Sequence, residues 1–299
     1  MNNIVEALNN MPFDGMLETN MQATINACQA NSQKFLNDAD ALQTMFNSID
    51  LTTLSHTDSS KSVAAFVNKV NLFAQEYPDL KNVGGICVYS VFAPVLRATL
   101  NVEGVHRAVV AACFPSSQAF TDIKVAEVSR AVQAGATEVD VVISVGEFLD
   151  GEYQMVYEEL SAIRDACAGA RLKVILETGA IPSLEQIWKA SVIAMEAGAD
   201  FIKTSTGKNC GGATPEAAVI MCNAIKAYHA RTGRKVGFKP AGGVSTPAEA
   251  CLYYEIVKSI LGDEWLVNTL FRIGASRLAN SLLTQILTVQ GRPAPEKFF

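Results

Sequence analysis

Two lysines lie within or at the end of short apolar runs in the second half of the sequence, each a few residues before a glycine. Lys203 lies within the run Phe201–Ser205, and Lys239 closes the run Val236–Lys239. An ammonium group inside a buried strand is costly unless it is paired or loses its proton. A lysine that is neutral at physiological pH can attack a carbonyl carbon and form a Schiff base. We therefore interpret Lys203 as a candidate nucleophile; the alternative is a lysine that snorkels from a strand edge to an acid.

The second lysine favours the chemical interpretation. Two cations buried on neighbouring strands lower each other's affinity for a proton, so Lys239 would help to keep Lys203 neutral. Asp140 lies on another apolar run and shares a face with Val142 by period-two alternation. A carboxylate among Val and Ile needs a cation or hydrogen-bond donors. Asp140 is therefore either half of a structural ion pair or a proton relay beside the lysines.

Glycine-rich turns follow the last two predicted strands. They are segments 241–245 (Ala-Gly-Gly-Val-Ser) and 274–277 (Gly-Ala-Ser-Arg). Glycines allow backbone N–H groups to approach an anion, and the N-terminus of the following helix adds its dipole. In barrels of alternating strands and helices, these two loops are the usual phosphate site. The two turns therefore predict an anion site near the lysines.

Strand and helix patterns alternate along most of the chain, with no Pro/Gly/Ser-rich linker between its halves. The predicted strands are Ile49–Leu54, Gly84–Tyr89, His106–Phe114, Glu138–Ser144, Arg171–Thr178, Phe201–Ser205, Val236–Lys239 and Leu270–Gly274. The helix predicted after each strand begins near Ser60, Phe92, Asp122, Tyr153, Ser183, Thr214, Thr246 and Ser276, in that order. This alternation predicts the α/β class and a single (β/α)₈ TIM barrel over residues 49–299, rather than a doubly wound sheet. We expect the chain to fray at Gly291–Phe299.

Residues 1–48 are predicted to form an N-terminal helical extension, because apolar residues recur there at roughly helical spacing. Such helices would cap the bottom of the barrel or contribute to a subunit interface. A partly disordered arm is the alternative.

Asp50, Lys173 and Glu177 are further polar residues on predicted strands. Asp50 is interpreted as an N-cap, a surface turn acid or a polar group at the barrel mouth. Lys173 and Glu177 share a face by alternation. Both are expected to point into the barrel and form charge pairs, with a surface position as the alternative for Lys173.

Composition excludes several classes of function. The net charge of −6 argues against a nucleic-acid partner, so an anionic substrate would need a local cationic pocket. No apolar run approaches the ~20 residues of a membrane span. The seven cysteines include no Cys-x-x-Cys pair and no signal peptide opens the chain, so we expect reduced thiols in a cytoplasmic protein. The three histidines lack metal-ligand spacing, so we expect no metal.

Several stretches of the sequence together resemble the deoxyribose-phosphate aldolases, a family of class I aldolases. They are DLTTL at 50–54, EVDVV at 138–142, VILETG at 174–179, FIKTSTGK at 201–208, GFKPAGGV at 237–244 and RIGAS at 272–276. The similarity covers about residues 49–290, and FIKTSTGK together with GFKPAGG is its specific part.

The resemblance implies reversible cleavage of 2-deoxy-D-ribose 5-phosphate to acetaldehyde and D-glyceraldehyde 3-phosphate. It implies that Lys203 forms the Schiff base, that Lys239 lowers its proton affinity, and that Asp140 moves protons through a water. No cofactor is implied, because the protonated imine is itself the electron sink. The residues implied to hold the phosphate are Gly207, Lys208, Gly242, Gly243, Gly274 and Ser276, and those implied to bond the substrate hydroxyls are Thr52 and Thr206. A homodimer is implied as well.

The sequence departs from the family pattern at three places. Arg277 stands where many members have a second serine, and would add a cation to the phosphate or crowd it. The chain ends in Phe299, whereas some members carry a terminal tyrosine thought to reach the active site. The extension 1–48 is longer than a minimal member needs.

Three other functions fit the same residues. One is another class I aldolase on the same barrel, such as a transaldolase-like enzyme. The second is a pyridoxal-phosphate protein, because a lysine and a phosphate cradle also suit that cofactor. The third is a barrel that binds a sugar phosphate without catalysis, since a fold alone does not give a function.

Overall fold

The protein is a barrel of eight parallel strands surrounded by helices. The computed structural model describes residues 4–208 and 210–299, so the first three residues of the predicted extension lie outside it. The strands are β1 Ile49–Thr52, β2 Gly85–Tyr89, β3 His106–Val110, β4 Glu138–Val142, β5 Arg171–Ile175, β6 Phe201–Lys203, β7 Gly237–Lys239 and β8 Ile273–Ala275. The helices are α1 Ile4–Asn9, α2 Gly15–Thr19, α3 Met21–Ser32, α4 Ala39–Asn47, α5 Ser60–Glu76, α6 Ala93–Thr99, α7 Thr121–Gln133, α8 Val145–Leu149, α9 Tyr153–Ala166, α10 Leu184–Glu196, α11 Pro215–Thr232, α12 Pro247–Leu261 and α13 Leu278–Val289.

From β1 to β7 each strand pairs with the next one in the sequence, and β1 also pairs with β8, which gives the order β7-β6-β5-β4-β3-β2-β1-β8. The remaining seam, between β7 and β8, is joined by the isolated bridges Phe238–Phe271 and Ala241–Gly274. The predicted TIM barrel is therefore confirmed. Because all strands are parallel, their C-terminal ends meet at one mouth of the barrel.

Helix boundaries follow local capping chemistry. The side chain of Thr214 accepts a hydrogen bond from Ala217 N, and Pro215 occupies the first turn of α11, as predicted. Ser183 caps α10 in the same way. At α12, Thr246 and Glu249 form a reciprocal capping box.

Every strand differs from its predicted bounds by at least one residue at an end, and two of these differences have a clear cause in the backbone. The third strand ends at Val110 rather than Phe114, because Ala112 and Cys113 adopt positive φ angles that a strand cannot accommodate. The last strand begins at Ile273 rather than Leu270. The N–H groups of Leu270 and Phe271 both donate to Val267 O in a local turn, and so are not free for a ladder.

The residues before β1 form helices that pack on the outside of the barrel. Trp188 on α10 donates its indole N–H to Met11 O (2.8 Å), and Phe35 packs edge-to-face on Tyr254 of α12. These contacts place the segment against the outer helices.

The end of the chain is docked, so the expectation that it frays was wrong. The backbone N–H groups of Phe298 and Phe299 donate to Asn280 Oδ1 at 2.8 and 2.9 Å. The ring of Phe299 packs against Phe46 of α4 and Phe73 of α5. Aromatic burial and backbone hydrogen bonding together explain why the tail is ordered.

Within the described ranges, no helix combines the length and the apolar character that crossing a membrane requires.

Candidate active site

Lys203 and Lys239 meet at one carboxylate inside the barrel. They occupy the same level of the adjacent strands β6 and β7. The Nζ of Lys203 lies 2.8 Å from Asp140 Oδ2, and the Nζ of Lys239 lies 2.7 Å from the same oxygen. All three side chains are buried. The structure therefore brings together the three residues that the sequence predicts to be catalytic.

Asp140 also contacts a third lysine. Lys173, on β5, donates to Asp140 Oδ1 (2.9 Å) and is fully buried. The alternative of a surface position for Lys173 is therefore wrong. Its inward direction follows from its register, because it lies directly beside Asp140 on the neighbouring strand.

A second set of charges lies deeper in the barrel. Arg272 donates to Glu138 Oε1 and Oε2 at 2.7 and 2.8 Å, and it also pairs with Asp50. Asp50 in turn pairs with Lys239, which makes it a buried group rather than a cap or a surface acid. The sequence reasoning assigned no role to Glu138 or Arg272. Glu138 is two residues from Asp140, so alternation could have placed it on the same inward face.

The pKa values of the two functional lysines shift in opposite directions. Burial lowers the pKa of Lys203 and outweighs the attraction of Asp140, while repulsion from Lys239 lowers it further. Burial also acts to lower the pKa of Lys239, but the attraction of Asp140 and Asp50 raises it above its ordinary value. For Asp140, burial favours the neutral acid, yet its lysine neighbours hold its pKa well below the usual range. Lys239 and Asp140 therefore stay charged, and Lys203 is the amine that loses its proton most readily.

A pocket of about 250 Å³ opens above this cluster at the mouth of the barrel. It is lined by Lys203 and by every residue predicted to bind substrate: Thr52, Thr206, Gly207, Lys208, Gly242, Gly243, Gly274 and Ser276. Lys239 and Asp140 lie beneath it. The predicted residues therefore share one cavity with the Lys203 amine at its inner end.

One side of the pocket suits an anion. Gly242 and Gly243 adopt φ angles of 81° and 86°, which favour glycine. Within residues 4–208 and 210–299, the N–H groups of Gly243 and of Ser276 donate to no protein acceptor. Gly274 contributes differently, because its N–H donates to Pro240 O across the seam of the barrel (2.9 Å). Its lack of a side chain leaves room for Ala241, which a Cβ would approach to 2.8 Å.

The same side of the pocket carries positive charge. Arg277 lines it, and in the described part of the chain the guanidinium forms no ion pair. Lys208 lines it as well, with its Nζ 2.6 Å from Leu54 O in the loop after β1. None of the described lining residues is Asp or Glu. A protein of net charge −6 thus has the local cationic pocket that an anionic substrate needs.

The two predicted hydroxyl ligands differ in their surroundings. Thr52 donates its proton to Asp50 O (2.7 Å) on its own strand. Thr206 donates to Glu177 Oε2 (2.6 Å), and Glu177 Oε1 accepts from Thr206 N (3.1 Å). The prediction that Glu177 forms a charge pair inside the barrel was wrong, because among the described residues its carboxylate bonds to Thr206. Glu177 has a left-handed backbone, so strand alternation no longer sets the direction of its side chain.

The described residues contain no group of three or more His, Cys, Asp or Glu side chains arranged to hold a metal ion. A larger groove, about 840 Å³, lies between the N-terminal segment and α10. It contains none of the predicted site residues, so it is separate from the lysine pocket.

Comparisons of the sequence and of the structure with known proteins all identify aldolases. The sequence model of the family described as DeoC/LacD family aldolase matches residues 44–261. The deoxyribose-phosphate aldolase of Mus musculus is 42% identical over 248 residues, which span 80% of this chain and 78% of the mouse protein. That of Homo sapiens is 41% identical over 250 residues, with the same coverage of 80% and 78%. A solved structure, the tetrameric deoxyribose phosphate aldolase from Aeropyrum pernix, matches with a TM-score of 0.66 and 25% identity, covering 85% of this chain and 95% of that chain.

Proposed function

Because this chain belongs to the DeoC/LacD family of aldolases, we propose that it reversibly cleaves 2-deoxy-D-ribose 5-phosphate to acetaldehyde and D-glyceraldehyde 3-phosphate through a Schiff base on Lys203. It is an aldolase, a lyase that makes and breaks carbon–carbon bonds. The relatives at 41–42% identity carry the name of this reaction. The observation that carries the assignment is the Lys203 amine, which has a lowered pKa and lies at the inner end of a cationic pocket.

The reaction follows from the amine. The neutral Nζ of Lys203 attacks the aldehyde carbon of the open-chain sugar, and loss of water gives an imine. The protonated imine withdraws electrons, so the bond between the second and third carbons breaks. The hydroxyl on the third carbon loses its proton and becomes the aldehyde of glyceraldehyde 3-phosphate. The enamine left on Lys203 takes a proton at carbon, and water then releases acetaldehyde.

Asp140 and Lys239 lie beneath the pocket, and each assists this chemistry. Asp140 is the carboxylate within hydrogen-bond reach of the Lys203 amine, so it can accept and return protons through a water. Lys239 shares that carboxylate and keeps its own charge. Its positive charge disfavours a second ammonium at Lys203 and so favours the nucleophilic form.

The glycine turns and the two cations would hold the phosphate. Free N–H groups at Gly243 and Ser276 match the needs of phosphate oxygens. Lys208 and Arg277 supply positive charge on the same side of the pocket. A phosphate held there leaves the other end of the sugar to reach Lys203. Thr52 and Thr206 lie in the same pocket and would contact the hydroxyls.

Turnover assays on the purified protein test this proposal. We expect cleavage of 2-deoxy-D-ribose 5-phosphate, detected as glyceraldehyde 3-phosphate, and no dihydroxyacetone transfer from a ketose phosphate. Lys203→Ala should abolish cleavage and leave the fold unchanged by circular dichroism. Turnover of the ketose phosphate alone would indicate a transaldolase-like enzyme instead. Binding of the sugar phosphate with no turnover would indicate a non-catalytic barrel.

We further propose that the enzyme is a cytoplasmic homodimer that acts in deoxyribonucleotide catabolism. All seven cysteines are unpaired thiols, which agrees with a reducing compartment. A related solved structure is described as tetrameric, so assembly through copies of the chain has a precedent on this fold. We propose that the chain divides into a helical extension, residues 1–48, and a catalytic barrel, residues 49–299.

A further inference from the structure

Glu177 carries a backbone conformation that favours glycine. Its φ and ψ angles are 56° and 55°, in the left-handed region. A glycine would adopt these angles without the steric cost that a side chain brings. A side chain kept in such a position near a functional pocket suggests that its own contacts matter.

The carboxylate of Glu177 holds the loop that follows Lys203. Both of its oxygens are used by Thr206, one by the backbone N–H (3.1 Å) and one by the hydroxyl (2.6 Å). Glu177 and Thr206 are both buried. The backbone adds to this clamp, because Thr178 N donates to Thr204 O (2.9 Å).

These contacts determine which hydrogen bonds the Thr206 hydroxyl can still form. A hydroxyl has one proton and two lone pairs, and an ionised carboxylate can only accept. The Thr206 proton is therefore committed to Glu177. One lone pair accepts from Lys208 N (3.1 Å). Thr206 lines the pocket. Its hydroxyl has one lone pair left, which can accept a hydrogen bond from a substrate.

We propose that Glu177 is a positioning residue that makes Thr206 an obligate acceptor for the hydroxyl beside the aldehyde of glyceraldehyde 3-phosphate, and so selects 2-hydroxy aldehydes as aldol acceptors. The inference rests on the proposed function. Along the chain, Thr206 lies between Lys203, where the carbon–carbon bond forms, and Gly207–Lys208 at the phosphate end. The carbon with that hydroxyl likewise lies between the aldehyde carbon and the phosphate.

The variant Glu177→Gln keeps the size of the side chain and changes only its hydrogen bonding. If the amide nitrogen faces the Thr206 hydroxyl, both lone pairs of that hydroxyl are filled and its proton turns into the pocket. If the amide is reversed, two donors oppose each other at Thr206 N. The first orientation removes the acceptor offered to the substrate, and the second leaves the hydroxyl as an acceptor but pushes Thr206 N, and the loop that carries the hydroxyl, away from residue 177.

The test compares two acceptors in the aldol addition of acetaldehyde: D-glyceraldehyde 3-phosphate and 3-oxopropyl phosphate, which lacks the hydroxyl. We expect the native enzyme to prefer the hydroxylated acceptor in kcat/KM by about tenfold or more, and Glu177→Gln to lose about tenfold of that preference. Borohydride trapping of acetaldehyde on Lys203 should stay within about twofold, because acetaldehyde carries neither the hydroxyl nor the phosphate.

Matched variants complete the experiment. Glu185→Gln makes the same change at a half-exposed glutamate on α10, paired with Lys189, and should alter neither acceptor preference nor trapping. Thr206→Ser keeps the hydroxyl and should retain the preference, whereas Thr206→Ala should lose it even if Glu177→Gln does not fold.

A preference that stays at the native value in folded Glu177→Gln overturns the proposal, and so does one that stays there in Thr206→Ala, whatever happens to the overall rate. In that case Glu177 serves only the folding of the loop. A native enzyme that uses neither acceptor contradicts the proposed function instead, so the two failures are distinguishable.

Discussion

Asp140 is the residue at which the charges of the site are balanced. Three lysines surround its carboxylate, with Nζ–O distances of 2.9, 2.8 and 2.7 Å for Lys173, Lys203 and Lys239. One negative charge cannot hold three buried ammonium groups equally well. Lys173 and Lys239 have further carboxylates as partners, whereas Lys203 has only Asp140 among the described residues. Lys203 is therefore the amine with the lowered pKa.

Replacing Lys239 tests this balance. In Lys239→Leu one positive charge is lost, and Asp140 has one cation fewer to share, so both effects raise the pKa of Lys203. The amine then stays protonated to a higher pH. We expect the midpoint of the pH–rate profile for acetaldehyde trapping to move upward by about one unit or more.

Lys235→Leu is the matched control, because its partly exposed ammonium lies 3.9 Å from Glu264 on the outside of the barrel. Its midpoint should equal that of the native enzyme. An unchanged midpoint in Lys239→Leu would show that the second ammonium does not activate Lys203.

Polar residues could be predicted from the sequence where burying their charge is costly in any fold. A lysine or an aspartate inside an apolar run is conspicuous because burial penalises it whatever the fold, which is why Lys203, Lys239 and Asp140 could be predicted. Arg272 also lies within an apolar run, at residues 270–273, but the sequence does not reveal which acid it pairs with. Its partner Asp50 lies on the first strand and Arg272 adjoins the last, so the pair exists only after the barrel closes.

At the scale of elements, helices were predicted better than strand ends. Helix starts depend on short capping patterns, such as Thr214 followed by Pro215, which the sequence displays directly. Strand ends depend on where the neighbouring ladder stops. The apolar run of the third strand continues to Phe114, but its ladder ends at Val110 and the backbone turns into the left-handed region.

The tail was mispredicted because its partners are distant in the sequence. Phe299 packs on helices α4 and α5 and is held by Asn280 of α13. No local pattern in residues 291–299 reveals these contacts. The structure places this end of the chain against the outer helices, so the tail braces the barrel from outside.

We expect Phe299→Ala to lower the free energy of unfolding by about 3 kcal/mol, because it removes a buried aromatic ring. Urea denaturation measures the loss, and kcat/KM for the sugar phosphate should stay within about twofold. Phe120→Ala, at an 82% exposed phenylalanine, should change stability by less than about 0.5 kcal/mol. A Phe299→Ala variant with native stability and impaired turnover would mean that the tail reaches the active site.

At the scale of the whole molecule, Arg272, which immediately precedes β8, links the first and the fourth strands of the barrel. It pairs with Asp50 on β1 and with Glu138 on β4, and it is fully buried. Gly84 and Gly85 make room for it, since a Cβ on either would lie 2.9 Å from Arg272 Nη1. The network that sets the charge of Lys239 is thus also part of the core.

Removing this guanidinium should destabilise the fold. Arg272→Met leaves two buried carboxylates short of a cation, and we expect a loss of roughly 3–5 kcal/mol in the free energy of unfolding. Arg292→Met removes a partly exposed pair with Asp79 (2.6 Å) and should cost less than about 1 kcal/mol. Equal effects in the two variants, measured by urea denaturation, would refute a central role for Arg272.

Mass spectrometry after borohydride reduction in the presence of acetaldehyde tests the central claim most directly, because it identifies the amine that captures the aldehyde. We predict a single ethyl group on Lys203, and none in a folded Lys203→Ala variant. An ethyl group on Lys173 or Lys239, or labelling that persists in Lys203→Ala, would contradict the assignment of Lys203 as the Schiff-base lysine.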